Sequence, residues 1–258
     1  MSSNNPFEAH GIKHLSASSI NQFISNPASW ILKVSGHRGP SNPAMWRGTA
    51  VDDAISWAFD YEGNDIAAPI NMALNIFDER WIEHKKSNEY DYEKVRSERD
   101  NIERYLEVAM PFYRKLGKPE SIQKRIEIDL DLPVPVIGFI DLQYPGMIRD
   151  IKTTGRMMPK TPSSICRQLS LYAYAENCSA VADFIHVTKT KAEVVTVEIT
   201  DIDKRLEELR KASLAMMNVL SYSDDINQVA SLFYPDFDDW RWNNPADVAA
   251  AKKLWGIK

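Results

Sequence analysis

The sequence predicts an α/β protein, a mixed central sheet flanked by helices with a helical elaboration at the N-terminal end. Three observations carry this. From about residue 122 the apolar pattern alternates between strand and helix periods in the order β-β-β-α-β-β-α. Before that point the stronger apolar patterns are helical. The chain has 258 residues, 44% of them hydrophobic, enough to bury a substantial core as one domain. The expected division is a flexible tail over 1–14, a helical part over 15–120, an α/β core over 121–222 and a C-terminal loop and helix over 223–258.

The N-terminal half reads as follows. LSASSINQFISNPASWILK opens on Ser16 or Ser18 as a helix cap and is interrupted by Asn26-Pro27. A loop rich in Gly and Pro runs from Ser35 to Pro43. MWRGTAVDDAISWAFD then sets Val51, Ile55, Ala58 and Phe59 at helical spacing. Residues 71–115 read as one or two long amphipathic helices.

In the second half, IQKRIEIDLDL alternates like a strand, and GFIDLQYPGMIRDIKTT is a hairpin around Pro145-Gly146. Those two residues suit position i+1 and the φ > 0 position of a type II turn. In that register Tyr144 faces Met147 and Asp141 stands opposite Asp150. Like charges so placed repel, and Lys152 turns to the same face as Asp150. SSICRQLSLYAYAENC is a helix capped by Ser163 or Ser164. ADFIHVTKTK and EVVTVEIT are strands, and DIDKRLEELRKASLAMMNVL is a helix. The last stretch is a loop and a short helix from about Pro245, with Trp240, Trp242 and Trp255 expected against the body of the protein and stacking on bases as the other reading.

Composition excludes several classes. A formal net charge of -5 argues against wrapping long DNA by bulk attraction, while leaving room for a local basic groove. No run of about 18 apolar residues marks a membrane span. MSSNNPFEAHGIKH lacks the apolar stretch of a signal peptide, so a cytoplasmic location is expected. The 2 cysteines, Cys166 and Cys178, fall in one predicted helix at roughly 18 Å, too far for a disulfide. Two thiols cannot hold an iron–sulfur cluster. His10 and His14 have zinc-like spacing but no third ligand nearby. Gly36-His-Arg-Gly39 lacks the ending of a phosphate-binding loop.

The Asp141, Asp150 and Lys152 set is chemically suggestive. Two carboxylates on neighbouring strands can bridge a hard cation such as magnesium, which would remove their repulsion. Such an ion acidifies water and neutralises a phosphoryl oxygen, and a lysine beside it can orient the water or stabilise the transition state. A structural salt bridge is the bland alternative. A bare acid-x-Lys triplet carries little weight, since Glu83-His84-Lys85 is a second one, in a charged helix.

Context makes the first triplet specific. G-F-I-D…D-I-K…Q-L-S-L-Y, from Gly138 to Tyr172, resembles the PD-(D/E)XK nuclease superfamily, particularly its RecB-like branch of exonucleases and phage or CRISPR-adaptation nucleases. The likeness runs from about Leu15 to Thr200 and implies a restriction-endonuclease-like core. It places Asp141 and Asp150 on the metal-binding acids, Lys152 on the catalytic lysine, and Gln168 and Tyr172 on a motif beside the active site and the DNA. It implies the Ile151 carbonyl as a metal ligand and Glu127 as the counterpart of a first-strand glutamate. Where the family has a histidine after Gly48, this chain has Asp52, with Asp53 as the alternative should the helix be rotated. Asn26-Pro27 stands where several relatives have a cluster cysteine, so no iron–sulfur cluster is expected.

The resemblance implies a Mg2+- or Mn2+-dependent deoxyribonuclease, in the first place an exonuclease at DNA ends. An endonuclease and a nuclease-dead DNA-end-binding module are the alternatives. Arg149, Arg156, Lys160 and Arg167, near Lys152, and Arg47 in the N-terminal helices are the expected DNA contacts; a solvated loop is the other reading of Arg156 and Lys160. DNA is the expected partner, with room for a recombination or single-strand-binding protein and for a homo-oligomer. If the gene is phage-borne, the compartment is the host cytoplasm.

Overall fold

The computed structural model describes residues 5–86 and 89–258. The N-terminal half is a run of helices whose ends follow local capping chemistry. Ser16 and Ser19 form a reciprocal capping box at the start of α2 (Ala17–Ser25). Asn26 ends α2, and its side chain accepts from Ser29 N–H at 3.0 Å, opening α3 (Pro27–Val34) on a proline that lacks the N–H a first turn leaves unused. Asn42 and Pro43 do the same for α4 (Pro43–Ala58). The one or two helices expected over 71–115 are three: α5 (Ala67–His84), α6 (Tyr92–Asp100) and α7 (Ile102–Leu116). Asp91 caps α6, accepting from the Glu93 and Lys94 N–H groups, and Asn101 lies between α6 and α7, its side chain donating back to Ser97 O.

The expected flexible tail is corrected from residue 5 onward. Asn5 caps a short α1 (Pro6–Ala9), and Phe7 is fully buried in the core. Leu15 N–H then donates to Pro135 O at 2.9 Å. Residues 1–4 of that expectation lie outside the described residues.

Five strands form one sheet in the order β1 (Ser121–Ile128), β2 (Val136–Tyr144), β3 (Met147–Thr154), β4 (Ser179–Val187), β5 (Ala192–Glu198). Helix α8 (Ser163–Glu176) carries the chain from β3 to β4, which are parallel; the other neighbours are antiparallel. Helix α9 (Ile202–Leu220) follows β5. This is the mixed α/β sheet the sequence predicts. One face, with Ile126, Ile140, Ile148 and Phe184, packs on α2, α3, α8 and α9. The other, with Leu142, Ile151, Ile185 and Val187, packs on α4, α5 and α7.

The C-terminal segment carries α10 (Ile226–Ala230), a 3-10 turn at Trp240–Trp242 and α11 (Pro245–Trp255). Trp242 is buried against α3, and Trp255 Nε1 donates to the Ala230 and Phe233 carbonyls. Trp240 departs from the expectation: it is 73% exposed, with Arg241 over its ring. Cys178 also departs, because α8 ends at Glu176 and Asn177 turns left-handed. Both thiols are free and partly buried against the core.

Candidate active site

The site grows out of a break in the sheet. Gly146 takes φ 69°, so the turn closes as predicted and Tyr144 faces Met147. Pairing of β2 with β3 runs through Gln143 with Ile148 and Leu142 with Arg149, then stops. The next pair in that register would be Asp141 with Asp150. Instead the Asp141 carboxylate enters the gap and accepts the Ile151 N–H at 2.8 Å. On its other flank Asp141 lies beside Gln123, which is skipped in the β1–β2 ladder and has φ 48°. Ile140 and Leu142 accordingly feed opposite cores.

Three further elements reach this break. On β3, Lys152 Nζ lies 2.6 Å from Asp150 Oδ2. Helix α4 is pinned to β3 by Arg47, which pairs with Glu98, donates to Thr153 Oγ1 at 3.3 Å and lies over the Tyr105 ring. One turn further along α4, Asp52 Oδ2 accepts from Gln123 Nε2 at 3.1 Å, and the same amide lies 3.4 Å from Asp141 Oδ1. Gln123 thus ties Asp52 to Asp141, and Asp52 rather than Asp53 faces the site. On α8, Gln168 Nε2 donates to the Tyr172 hydroxyl at 3.4 Å. Tyr172 lies so close to β2 that a Cβ on Gly138 would stand 2.3 Å from its Cε1, which is why that strand position takes glycine.

The electrostatics follow from crowding. Burial, then the charges of Asp150 and Asp52, hold the Asp141 carboxyl well above the usual carboxylate range. Burial, then Asp53, lift Asp52 to about 7. Burial works against the Lys152 ammonium, but Asp150, Asp141 and Asp52 outweigh it, so its pKa sits above that of an ordinary lysine. Burial raises the Tyr172 hydroxyl, and the Asp150 and Asp141 charges add to the effect.

These residues suit a hard divalent cation. Asp52 Oδ1 is buried with no hydrogen-bond partner, whereas Asp150 Oδ2 is ion-paired with Lys152 Nζ at 2.6 Å. A buried carboxylate oxygen left without a partner, as Asp52 Oδ1 is, costs free energy unless a positive charge satisfies it. The donors are all oxygen, as magnesium requires. No three acidic, His or Cys side chains form a ligand set by themselves among the described residues. The Ile151 carbonyl, water and a phosphate oxygen would complete the coordination.

The other expected site residues are placed as follows. Glu127 is not brought here: it pairs with Ile137 towards the far end of β1, about 13 Å along the strand from Gln123, in an exposed ion pair with Arg125. Arg149 points to the opposite face, where Asp183 binds it through two bonds of 2.8 Å and Thr196 and Phe112 enclose it. Arg167 is tied to Asn21 and Glu208, and Arg47 to Glu98, so none of these three guanidiniums is presented to a ligand. A buried cation already paired on two sides is structural first. Arg156 and Lys160 are exposed on the loop after Lys152. The residue sequence reasoning missed is Gln123, legible only once the β1–β2 register is known.

Comparisons with known proteins agree with this fold. The model of the PD-(D/E)XK nuclease superfamily matches residues 14–231. No curated protein matches the chain. Among solved structures, a protein described as a "putative exonuclease" from Eubacterium rectale superposes with TM-score 0.58 at 12% identity, covering 87% of each chain. At that identity the likeness speaks for the fold alone. SSO0001, at TM-score 0.32 and 11% identity over 43% of this chain and 56% of that one, carries no argument.

Proposed function

The chain belongs to the PD-(D/E)XK nuclease superfamily, and on that premise we propose that it is a magnesium-dependent deoxyribonuclease of the RecB-like kind, acting as an exonuclease at DNA ends. The observation that carries this reading is the convergence of Asp52, Asp141 and Asp150 with Lys152 at the break between β2 and β3, with the buried Asp52 Oδ1 lacking a hydrogen-bond partner. A purely structural ion pair between Asp150 and Lys152 would not need Asp52 and Asp141 pressed against it.

In this reading Asp52, Asp141, Asp150 and the Ile151 carbonyl hold Mg2+, or Mn2+ in its place. The bound ion would supply an acidified water and neutralise charge on the scissile phosphate. Lys152, protonated at neutral pH because the surrounding acids favour its charge, donates to the attacking water or to a phosphate oxygen and fixes its direction. Gln168 and Tyr172 hold the phosphate from the α8 side. Hydrolysis adds the water oxygen to phosphorus and breaks one P–O bond, the leaving oxygen taking up a proton.

DNA suffices as partner for this chemistry, and the cytoplasm is the proposed compartment. No helix among the described residues is long and apolar enough to cross a membrane. Incubation with end-labelled linear DNA and with closed circular DNA, with and without magnesium, tests the reading. Magnesium-dependent release of mononucleotides from linear DNA alone is expected. Linearised circles would make the enzyme an endonuclease, and silence on both substrates would leave a DNA-end-binding module.

A further inference from the structure

Lys152 belongs to two places at once. Its ammonium faces Asp150, and the residue also lines a groove of about 440 Å3. The far wall is the loop between β3 and α8, which contributes Arg156, Met157, Met158 and Lys160; Ile165 and Phe184 form the floor. No acidic residue lines this groove. The Arg156 and Lys160 side chains are exposed and make no ion pair or hydrogen bond with another described residue. Met158 is 54% exposed, although Phe184 beneath it is nearly covered.

An apolar floor, flexible methionines and a rim of unpaired cations is an unusual neighbour for an acidic centre. Thioether side chains adapt to varied flat apolar partners. Pockets of roughly 300–1,000 Å3 bury a small-molecule-sized group. A group with an apolar face and anionic linkages, entering beside the scissile phosphate, matches all three features. Clefts on the N-terminal helices around His37 and around His10 include no residue of the site, Lys152 among them, and lack this continuity.

We propose that this groove receives the terminal nucleotide of the strand being cut, its base against Met157, Met158, Ile165 and Phe184 and its phosphate against Arg156 and Lys160. The proposal rests on the nuclease reading for what happens next to it, but the groove's occupancy is measured separately. Capture of one unstacked nucleotide would set the step at which the enzyme advances and would disfavour ends whose terminal base is missing.

The test uses full-length Asp150→Ala protein and duplexes carrying 2-aminopurine, whose fluorescence rises on unstacking, at a 5′ end, a 3′ end or well inside. Cleavage of linear DNA by the wild type is followed in parallel. Brightening at one end and not inside is expected. Adding Met157→Asn and Met158→Asn should abolish it and weaken end binding about tenfold or more, the scale of losing contact with one base. Absence of brightening at both ends overturns the proposal, and wild-type cleavage then says whether the nuclease reading survives. Terminal brightening without wild-type cleavage supports the groove and removes the nuclease reading. Brightening that persists in the double methionine variant places the base elsewhere and overturns it.

Discussion

Replacing Asp52 by asparagine removes one of three carboxyl groups crowded at the break between β2 and β3, and the structure fixes the sign of the outcome. Burial, then the charge of Asp53, raise the Asp52 carboxyl from 3.8 to about 7. A group whose folded-state pKa is raised contributes stability that is fully present below its unfolded pKa and is lost as pH climbs through the folded one. For Asp52 the window therefore opens near 3.8 and closes just above 7. Across it the metal-free protein loses less than about 2 kcal/mol by about pH 5 and about 4 kcal/mol by about pH 8. Asparagine carries no charge at either pH and keeps an oxygen that can accept from Gln123. In chelator, Asp52→Asn should be the more stable protein near pH 8, by up to about 4 kcal/mol, with less than half that advantage near pH 5. Urea unfolding at both pH values reads this directly. Saturating magnesium should stabilise the wild type at the higher pH and the variant far less, and the variant should lose cleavage. An Asp52→Asn protein no more stable than wild type near pH 8, or equally favoured at both pH values, would refute the reasoning.

Other expectations follow from single contacts. Lys152→Ala, assayed at saturating magnesium, should cut linear DNA about 10²–10⁴-fold more slowly with its circular dichroism unchanged; a loss of less than threefold would contradict the role given to the ammonium. Gly138→Ala places a methyl 2.3 Å from Tyr172 Cε1 and should cost about 1–3 kcal/mol in urea unfolding, along with activity. Combining it with Tyr172→Leu should restore much of the stability and none of the cleavage. Glu127→Gln removes only an exposed pair with Arg125 and should leave stability within about 0.5 kcal/mol and cleavage unchanged; a large loss of activity would return Glu127 to the site.

What the sequence made legible was local. Alternation and capping residues gave all five strands and the hairpin turn, and the pleat put Asp150 and Lys152 on one face. The site residues that sequence reasoning misplaced depend on pairings across the fold. Arg149 looks like a free cation beside Asp150 until β4 brings Asp183 opposite its neighbourhood, and a buried carboxylate then holds it on the other face. Arg47 and Arg167 are likewise claimed by Glu98 and by Asn21 with Glu208, partners distant in sequence. Gln123 carries no motif; its place beside Asp141 follows from the β1–β2 register, which pairs Ile122 with Leu142 and Lys124 with Ile140 on either side. The burial of Phe7 was hidden because a single aromatic in a polar stretch has no periodicity to reveal it.

In the proposed function a divalent ion sits among Asp52, Asp141, Asp150 and the Ile151 carbonyl, within reach of the Lys152 ammonium. Anomalous scattering from a crystal grown with manganese measures this most directly. A strong peak bounded by those oxygens is expected, absent in the Asp150→Ala protein. A crystal of active enzyme with no peak there, or with manganese held by other residues, would contradict it.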